Sequence, residues 1–204
     1  MALRDLLWAC PECGADRGLV ADGSEHRCRA CGTRYARDRG ARIRARRPDG
    51  SEIVRRPVEW LRMLPDPETI VTQGDTADHV IRSAHVQMAR VTGFDTVRDG
   101  EGYLNRIELW GEDAPASLEL RKDRLVVVPE EGGPESWPLE SLTAVQASSS
   151  SLQINRRGEP LVSFRFADDS VFLWEELLHA ALRDFYRRTG LGEILEFQPR
   201  IVTE

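Results

Sequence analysis

Four cysteines lie near the start of the chain in two CxxC pairs, and the chain has no others. Cys10 and Cys13 form the first pair and Cys28 and Cys31 the second, which gives the spacing C-x2-C-x14-C-x2-C. Such residues can form disulfides, carry out redox chemistry through one CxxC, or hold a metal ion. Two pairs so close together favour the metal site, because four thiolates converging in a tetrahedron suit Zn²⁺. We therefore predict a structural zinc site formed by all four cysteines.

The cellular compartment helps to decide between disulfides and a metal site. The opening residues MALRDLLWA lack the long apolar core of a signal peptide. No apolar run approaches the roughly 18 residues that a membrane-spanning helix requires. We expect a cytoplasmic protein, in which disulfides rarely persist, and peripheral association with a membrane stays open.

The residues around the cysteines predict how this segment folds. Gly14 and Gly32 directly follow the two pairs, where the chain must adopt an unusual φ. Between the pairs, GLVADGSEHRC predicts a hairpin that turns at Asp22 and Gly23. With CPECG and CRACG as its metal-binding turns, the segment resembles a zinc ribbon, over about residues 7–47. Four thiolates leave no open position for a substrate, so the resemblance implies a structural role for the metal.

A run of arginines follows the second pair. Around Ile43 the sequence RIRAR alternates, which predicts the last strand of the ribbon, with one arginine-rich face. That face, with Arg42, Arg44, Arg46 and Arg47, would suit the phosphates of a nucleic acid or an anionic membrane surface. Alternatively, the charges protect an edge strand from aggregation. We favour the protective role, because base stacking would require more aromatic residues nearby.

The charge is divided unevenly along the chain. Residues 1–62 contain 14 arginines and 9 acidic residues, whereas residues 63–204 contain 14 basic and 25 acidic residues. Lys122 is the only lysine, a bias typical of GC-rich codons, so we expect a bacterial source.

The remaining sequence predicts a second, larger domain. Turn signals such as RRP and LPDP predict a connector over residues 51–80, between a zinc ribbon at 1–50 and a domain with a tail at 81–204. About seven short alternating segments predict a β-barrel or sandwich. The period then changes to that of a helix, with an apolar face from Trp174 to Phe185. Asp169 or Ser170 can cap this helix, and Gly190 can end it.

The predicted fold class is therefore mainly β with a C-terminal helix. A seven-stranded barrel or sandwich capped by one amphipathic helix resembles a pleckstrin-homology-like domain of the GRAM-like branch. The segments LELRKDRLVVVP, WPLESLTAVQ and LVSFRF and the helix with Trp174 carry the resemblance, over about residues 81–190. Members of that family attach proteins to membranes or to other proteins. The first hairpin, GFDTVRDGEGYLNR, lacks the Lys/Arg cluster of phosphoinositide-binding members, so the resemblance favours a protein partner.

Catalytic motifs are absent from the sequence. It contains no GxSxG, GxxxxGK[ST] or HExxH. His179 and Asp184 form an HxxxxD pattern that resembles a motif of glycerophosphate acyltransferases, but both lie in the predicted helix and no second motif follows. For His85 no partner is predictable, so we expect an ordinary surface or packing residue.

We therefore predict a non-enzymatic adaptor that binds a protein partner and has no small-molecule substrate. Contact with an anionic membrane surface stays open. The alternative is a nucleic-acid-binding or transcription-associated zinc-ribbon factor that uses the arginines.

Overall fold

A computed structural model describes residues 3–73, 79–100, 102–148 and 150–191 of the chain. Within these ranges it describes all side chains except those of residues 4, 73, 79, 99 and 103–106. The predicted C-terminal tail at 192–204 lies outside the described residues.

The N-terminal part is a five-stranded antiparallel sheet whose strands follow one another in chain order. The strands are β1 (Leu19–Asp22), β2 (Glu25–Cys28), β3 (Arg34–Asp38), β4 (Arg42–Arg46) and β5 (Glu52–Arg55). Two short helices, α1 (Leu3–Leu6) and α2 (Pro57–Leu61), precede and follow the sheet. We call residues 3–61 the cysteine module. The hairpin between β1 and β2 turns at residues 23 and 24, one position later than predicted, because Asp22 still pairs with Glu25.

The core of the cysteine module explains why it extends beyond residue 50. Ile43 and Ala45 of β4 are buried on one face of the sheet, while the arginines of β4 lie on the other. Trp60 of α2 is fully buried, and its Nε1 donates a hydrogen bond to the carbonyl of Ile43 at 3.1 Å. Its ring meets that of Tyr35 edge-on, with centroids 5.8 Å apart.

β4 is an interior strand of this sheet, flanked by β3 and β5, and not the edge strand that the sequence predicts.

The predicted connector is folded. It contributes β5 and α2 to the cysteine module, and a third helix, α3 (Pro67–Gln73), follows. Val71 of α3 is buried in the larger core, and Glu68 accepts a hydrogen bond from Arg183 at 3.0 Å. These elements are too short for their apolar periodicity to be recognised in the sequence.

The C-terminal part is a curled half-barrel sheet. Its strand order is β10-β9-β8-β6-β13-β12-β11, with β7 attached to β6. The strands are β6 (His79–Asp99), β7 (Gly102–Trp110), β8 (Ala114–Arg121), β9 (Arg124–Pro129), β10 (Glu135–Pro138), β11 (Leu142–Ala147), β12 (Leu152–Arg156) and β13 (Val162–Phe166). With the helix that follows, this confirms the predicted fold class, mainly β with a C-terminal helix.

One hairpin of the half-barrel extends beyond the sheet. β6 is 21 residues long, and its first half pairs with β8 on one side and β13 on the other. Beyond Arg90 the only strand that pairs with it among the described residues is β7, and Val91 also donates a backbone hydrogen bond to the carbonyl of Leu161 at 2.9 Å. We call residues 91–110 the projecting ribbon. The sequence predicts only part of this strand, because most of the described side chains of the ribbon beyond Val91 are not buried and impose no alternation of apolar and polar residues.

The last helix, α4 (Val171–Thr189), closes the core of the half-barrel. The Ser170 hydroxyl caps it by accepting a hydrogen bond from the backbone N–H of Leu173 at 3.2 Å. Gly190 ends it at φ 70°, in the left-handed region that favours glycine. Trp174 is fully buried and stacks on Phe166, with ring centroids 5.3 Å apart. Among the described helices, none combines the length and the apolar character that crossing a bilayer demands.

Candidate metal centre

Two tight turns, at residues 10–13 and 28–31, bring the cysteines together. In each turn the backbone N–H of the following glycine donates to the carbonyl of the first cysteine, at 2.8 Å for Gly14 and 3.0 Å for Gly32. Both glycines have positive φ, at 72° and 77°, which side chains with a Cβ rarely adopt. The predicted need for glycine after each cysteine pair is thus explained by the local backbone.

The sulfur atoms have the spacing of a tetrahedral metal site. Cys10 Sγ lies 3.6 Å from Cys31 Sγ, and Cys13 Sγ lies 3.7 Å from Cys28 Sγ. All four sulfurs lie within 4.8 Å of one another. A tetrahedron with Zn–S bonds of about 2.3 Å has edges of about 3.8 Å, whereas a disulfide needs about 2.05 Å. The four cysteines are free, and their arrangement is compatible with zinc binding.

Two buried hydroxyl groups lie beside the sulfurs. The Tyr35 hydroxyl is 3.1 Å from Cys10 Sγ, and the Thr33 hydroxyl is 3.3 Å from Cys31 Sγ. Tyr35 is fully buried, and burial together with the contact to Cys10 raises its pKa. The phenol therefore keeps its proton, and its O–H can donate a hydrogen bond to a thiolate. Such outer contacts orient metal ligands and tune their basicity.

The pKa values of two thiols of the site shift in opposite directions, although burial acts to raise both. Burial raises the pKa of the Cys10 thiol to about 12. For Cys31, hydrogen bonds with Thr33, Cys10 and Cys13 outweigh burial and lower its pKa to about 7. The two thiols thus differ in how readily they ionise. A bound divalent cation favours the thiolate form of every ligand.

The predicted arginine face is largely paired within the module. Arg44 donates to Asp38 at 2.9 Å, and Arg46 donates to Glu52 at 2.7 Å. Arg47 makes a two-pronged contact, at 2.8 and 3.1 Å, with Glu12 of the first cysteine turn.

Among the described residues, only Arg42 of these four arginines has no side-chain partner. An anion at this face would compete with three carboxylates, and anion binding here stays a prediction.

The residues before the first cysteine connect the module to the half-barrel. Leu7 packs into the core of the cysteine module, whereas Trp8 packs into the core of the half-barrel. The Ser170 hydroxyl at the start of α4 donates a hydrogen bond to the carbonyl of Asp5. Cys10, the first cysteine of the cluster, therefore follows Trp8 by two residues, although the Trp8 side chain belongs to the core of the half-barrel.

The histidines of the sequence analysis lie apart from the cysteines. His179 Nε2 is 3.3 Å from the carbonyl of Val145, and Asp184 binds Arg188, both on the surface of α4. His85 has a carboxylate partner that the sequence does not reveal, since its Nδ1 lies 2.6 Å from Asp168. The two residues are 83 positions apart, so only the tertiary fold brings them together.

Comparison with known proteins adds no relative to this description. No protein-family model matches the chain, and a search of the curated proteins finds no match either. The class of protein is therefore defined by the structure itself, as a mainly β fold with a C-terminal helix and a cluster of four cysteines near its N-terminus.

Proposed function

We propose that the protein is a non-enzymatic adaptor in which a structural zinc ribbon is joined to a pleckstrin-homology-like domain. The distances between the sulfurs support the first part, because they match the edges of a tetrahedral zinc site. A curled sheet closed by one helix, with Trp174 in its core, supports the second. The zinc stabilises the module, and the half-barrel offers the binding surface.

The projecting ribbon is the observation that carries this proposal. Ile107 is 49 % exposed and Leu109 is 48 % exposed, two residues apart on one face of the ribbon. Opposite them on β6, Asp95 pairs with Ile107 and Gly93 with Leu109, which leaves both apolar side chains uncovered. A ribbon of two strands is marginally stable alone in water, so a third strand would stabilise it.

The chemistry of the ribbon favours a protein over a membrane as its partner. In the described part of the chain neither outer edge of the ribbon pairs with another strand. A protein segment can add to such an edge through backbone hydrogen bonds while its side chains cover the apolar face. The ribbon sequence contains Asp95, Asp99 and Glu108 as well as Arg98 and Arg106. This mixed charge gives no attraction to an anionic lipid surface.

A capture experiment with matched variants tests the adaptor proposal. Tagged protein is isolated from its native host with nuclease treatment, and bound proteins and lipids are identified by mass spectrometry. Ile107→Lys should abolish capture of a protein partner, because it places a charge on the docking face. Val128→Lys changes an apolar residue of β9 that is also exposed, and it should capture the same partner as the unaltered chain.

Three outcomes would overturn the proposal. The first is equal capture by both variants. The second is a partner that is lost on nuclease treatment, which would favour the nucleic-acid alternative. The third is a self-associated species by light scattering that Ile107→Lys dissolves, since this would assign the ribbon to a second copy of the chain.

A further inference from the structure

A cleft lies between the cysteine module and the half-barrel. Its volume is about 470 Å³, and Leu7 and Leu19 line it on one side and Ala84 and Leu173 on the other. Clefts of roughly 300–1,000 Å³ at the junction of two folded units commonly hold small molecules. We call this feature the inter-module cleft.

Arg17 forms a fixed part of the cleft. Its φ is 47°, in the left-handed region that a residue with a Cβ rarely adopts. Its guanidinium lies 3.2 Å from the carboxylate of Asp169, and it donates to the carbonyl of Arg82 at 3.4 Å. Asp169 is almost fully buried, so this pair compensates the charge of Arg17. Backbone conformations of this kind persist where the surroundings impose them, and they are frequent at ligand sites.

Two other arginines of the cleft have no such compensation. Arg29 belongs to the second cysteine turn, and Arg82 belongs to β6. Within the described ranges, neither guanidinium has a hydrogen-bond or ion-pair partner. Two positive charges therefore line one cleft, and neither is paired with a carboxylate in the described residues. An anionic ligand could contact both.

The remaining acidic residue at the rim is already engaged. Asp168 lies 2.6 Å from Nδ1 of His85, and both residues line the cleft. When the carboxylate accepts a hydrogen bond from Nδ1–H, Nε2 is the ring nitrogen that remains for a ligand. Nε2 accepts a hydrogen bond when the ring is neutral and donates one when it is protonated. The carboxylate keeps its negative charge while the imidazole is neutral, so the two guanidiniums exceed it by one positive charge.

We propose that the inter-module cleft binds a small organic phosphate monoester. Such a group carries a charge of about −1.5 to −2 at pH 7, and its oxygens can contact the guanidiniums of both Arg29 and Arg82. The planar guanidinium forms paired hydrogen bonds to phosphate oxygens. The organic part packs on Leu19 and Leu173, and Nε2 of His85 contacts the ligand at the rim. The bound molecule thus touches both modules.

Calorimetric titration of the zinc-loaded full chain with phenyl phosphate tests this proposal. We expect saturable binding with one site per chain. Arg82→Ala and Arg29→Ala should each weaken it by about tenfold or more, because each removes a charged donor. Arg62→Ala removes an exposed arginine whose side chain also has no partner in the described part of the chain and lies outside the cleft. It should change the affinity by less than about twofold.

Two further ligands show which part of phenyl phosphate the cleft recognises. Benzoate keeps the ring but has one charge, and inorganic phosphate keeps the charge but has no apolar part. Both should bind more weakly than phenyl phosphate. Equal affinity for benzoate would assign the cleft to carboxylates, and equal affinity for inorganic phosphate would exclude a role for the apolar walls. Either result overturns the proposal of an organic phosphate.

The variants also need a control for folding, because Arg29 lies between two cysteines. Zinc content and thermal unfolding identify an Arg29→Ala protein that has lost its metal centre. Arg82→Ala lies on β6 and tests the cleft independently of that site. Absence of saturable binding to the unaltered chain, or equal affinity in the Arg82→Ala and Arg62→Ala variants, would refute the proposal.

Discussion

The Tyr35 hydroxyl is the group beside the sulfurs whose role is most easily isolated. Its ring fills the core of the cysteine module, while its oxygen contacts Cys10 Sγ. Removing the oxygen alone leaves the packing of the ring in place. The contribution of one hydrogen bond to metal affinity can therefore be measured without unfolding the module.

We expect Tyr35→Phe to lower zinc affinity by about tenfold, in the range found when outer contacts of metal ligands are removed. Competition with a coloured chelator measures this change. Tyr186→Phe removes a hydroxyl on α4, away from the cysteines, and should leave zinc affinity as it is. Unchanged affinity in Tyr35→Phe would mean that the hydroxyl does not stabilise a thiolate.

Glu135 provides a pH-dependent contribution to stability. Burial acts to raise the pKa of its carboxyl, but hydrogen bonds from Arg90 at 2.5 Å and from Trp137 at 3.0 Å outweigh it and lower the pKa. A lowered pKa in the folded state means that the contribution is present above the unfolded pKa of about 4.3. It is lost as the pH falls through the folded pKa.

Glu135→Gln should therefore reduce the free energy of unfolding at pH 7 by about 1 kcal/mol, after allowance for solvent screening of this partly exposed pair. The difference from the unaltered chain should shrink below about pH 4. Urea unfolding at several pH values measures it. Glu130→Gln, at an exposed position without a side-chain partner in the described residues, should show no such trend. A difference in the free energy of unfolding that stays constant with pH would contradict a stabilising role for the ionised carboxylate of Glu135.

Residue types and spacing were enough to predict the four cysteines as one site, because both turns are local. The pairing of Arg44 with Asp38 and of Arg47 with Glu12 was not predictable in the same way. These contacts depend on which strands neighbour one another. The same holds for His85 and Asp168, which meet only because β6 lies beside β13.

Among the elements, α4 is the easiest to predict from the sequence and the projecting ribbon is the hardest. The apolar face of α4, its cap at Ser170 and its end at Gly190 all follow from a 3.6-residue period and local capping rules. Most of the described side chains of the ribbon are exposed or half-buried, so the periodicity of apolar residues carries little signal there. α3 is similarly hidden, because a helix of 7 residues offers too few turns to show a face.

Ser170 joins α4 to the cysteine module, since it caps the helix and contacts the carbonyl of Asp5. We expect Ser170→Ala to reduce the free energy of unfolding by about 1–2 kcal/mol, mostly through the lost cap. Urea denaturation followed by circular dichroism measures this change. Ser136→Ala makes the same substitution at an exposed position of β10, and it should cost less than about 0.5 kcal/mol. Equal effects of the two substitutions would show that the cap is not needed.

At the scale of the molecule, the metal centre and the half-barrel are mechanically connected. Trp8 lies in the large core and Cys10 lies in the cysteine cluster two residues later, so we expect a loss of order at one to reach the other. Asp169, which precedes α4, forms an ion pair with Arg17 of the cysteine module. The sequence predicted two modules but gave no sign of these contacts, because each joins residues far apart in the chain.

Cys13→Ser should release the metal with little loss of packing, because Cys13 is the exposed cysteine. We expect faster amide exchange at Trp8 and in the first turn of α4, by about 5–30-fold for a local loss of 1–2 kcal/mol. Strand β12 should stay protected. Hydrogen exchange read by mass spectrometry tests this, and the chelated unaltered chain should behave like the variant. Unchanged exchange in α4 would show that the modules are independent.

The packing of residues 7–10 also limits how the length of this chain can vary in evolution. Leu7 enters one core, Trp8 enters the other, and Cys10 turns toward the metal centre, all within four consecutive positions. An insertion or deletion here would misplace at least one of the three. Homologous chains should therefore gain or lose residues in the turn of the projecting ribbon or after β4, and they should keep the interval between the tryptophan and the first cysteine.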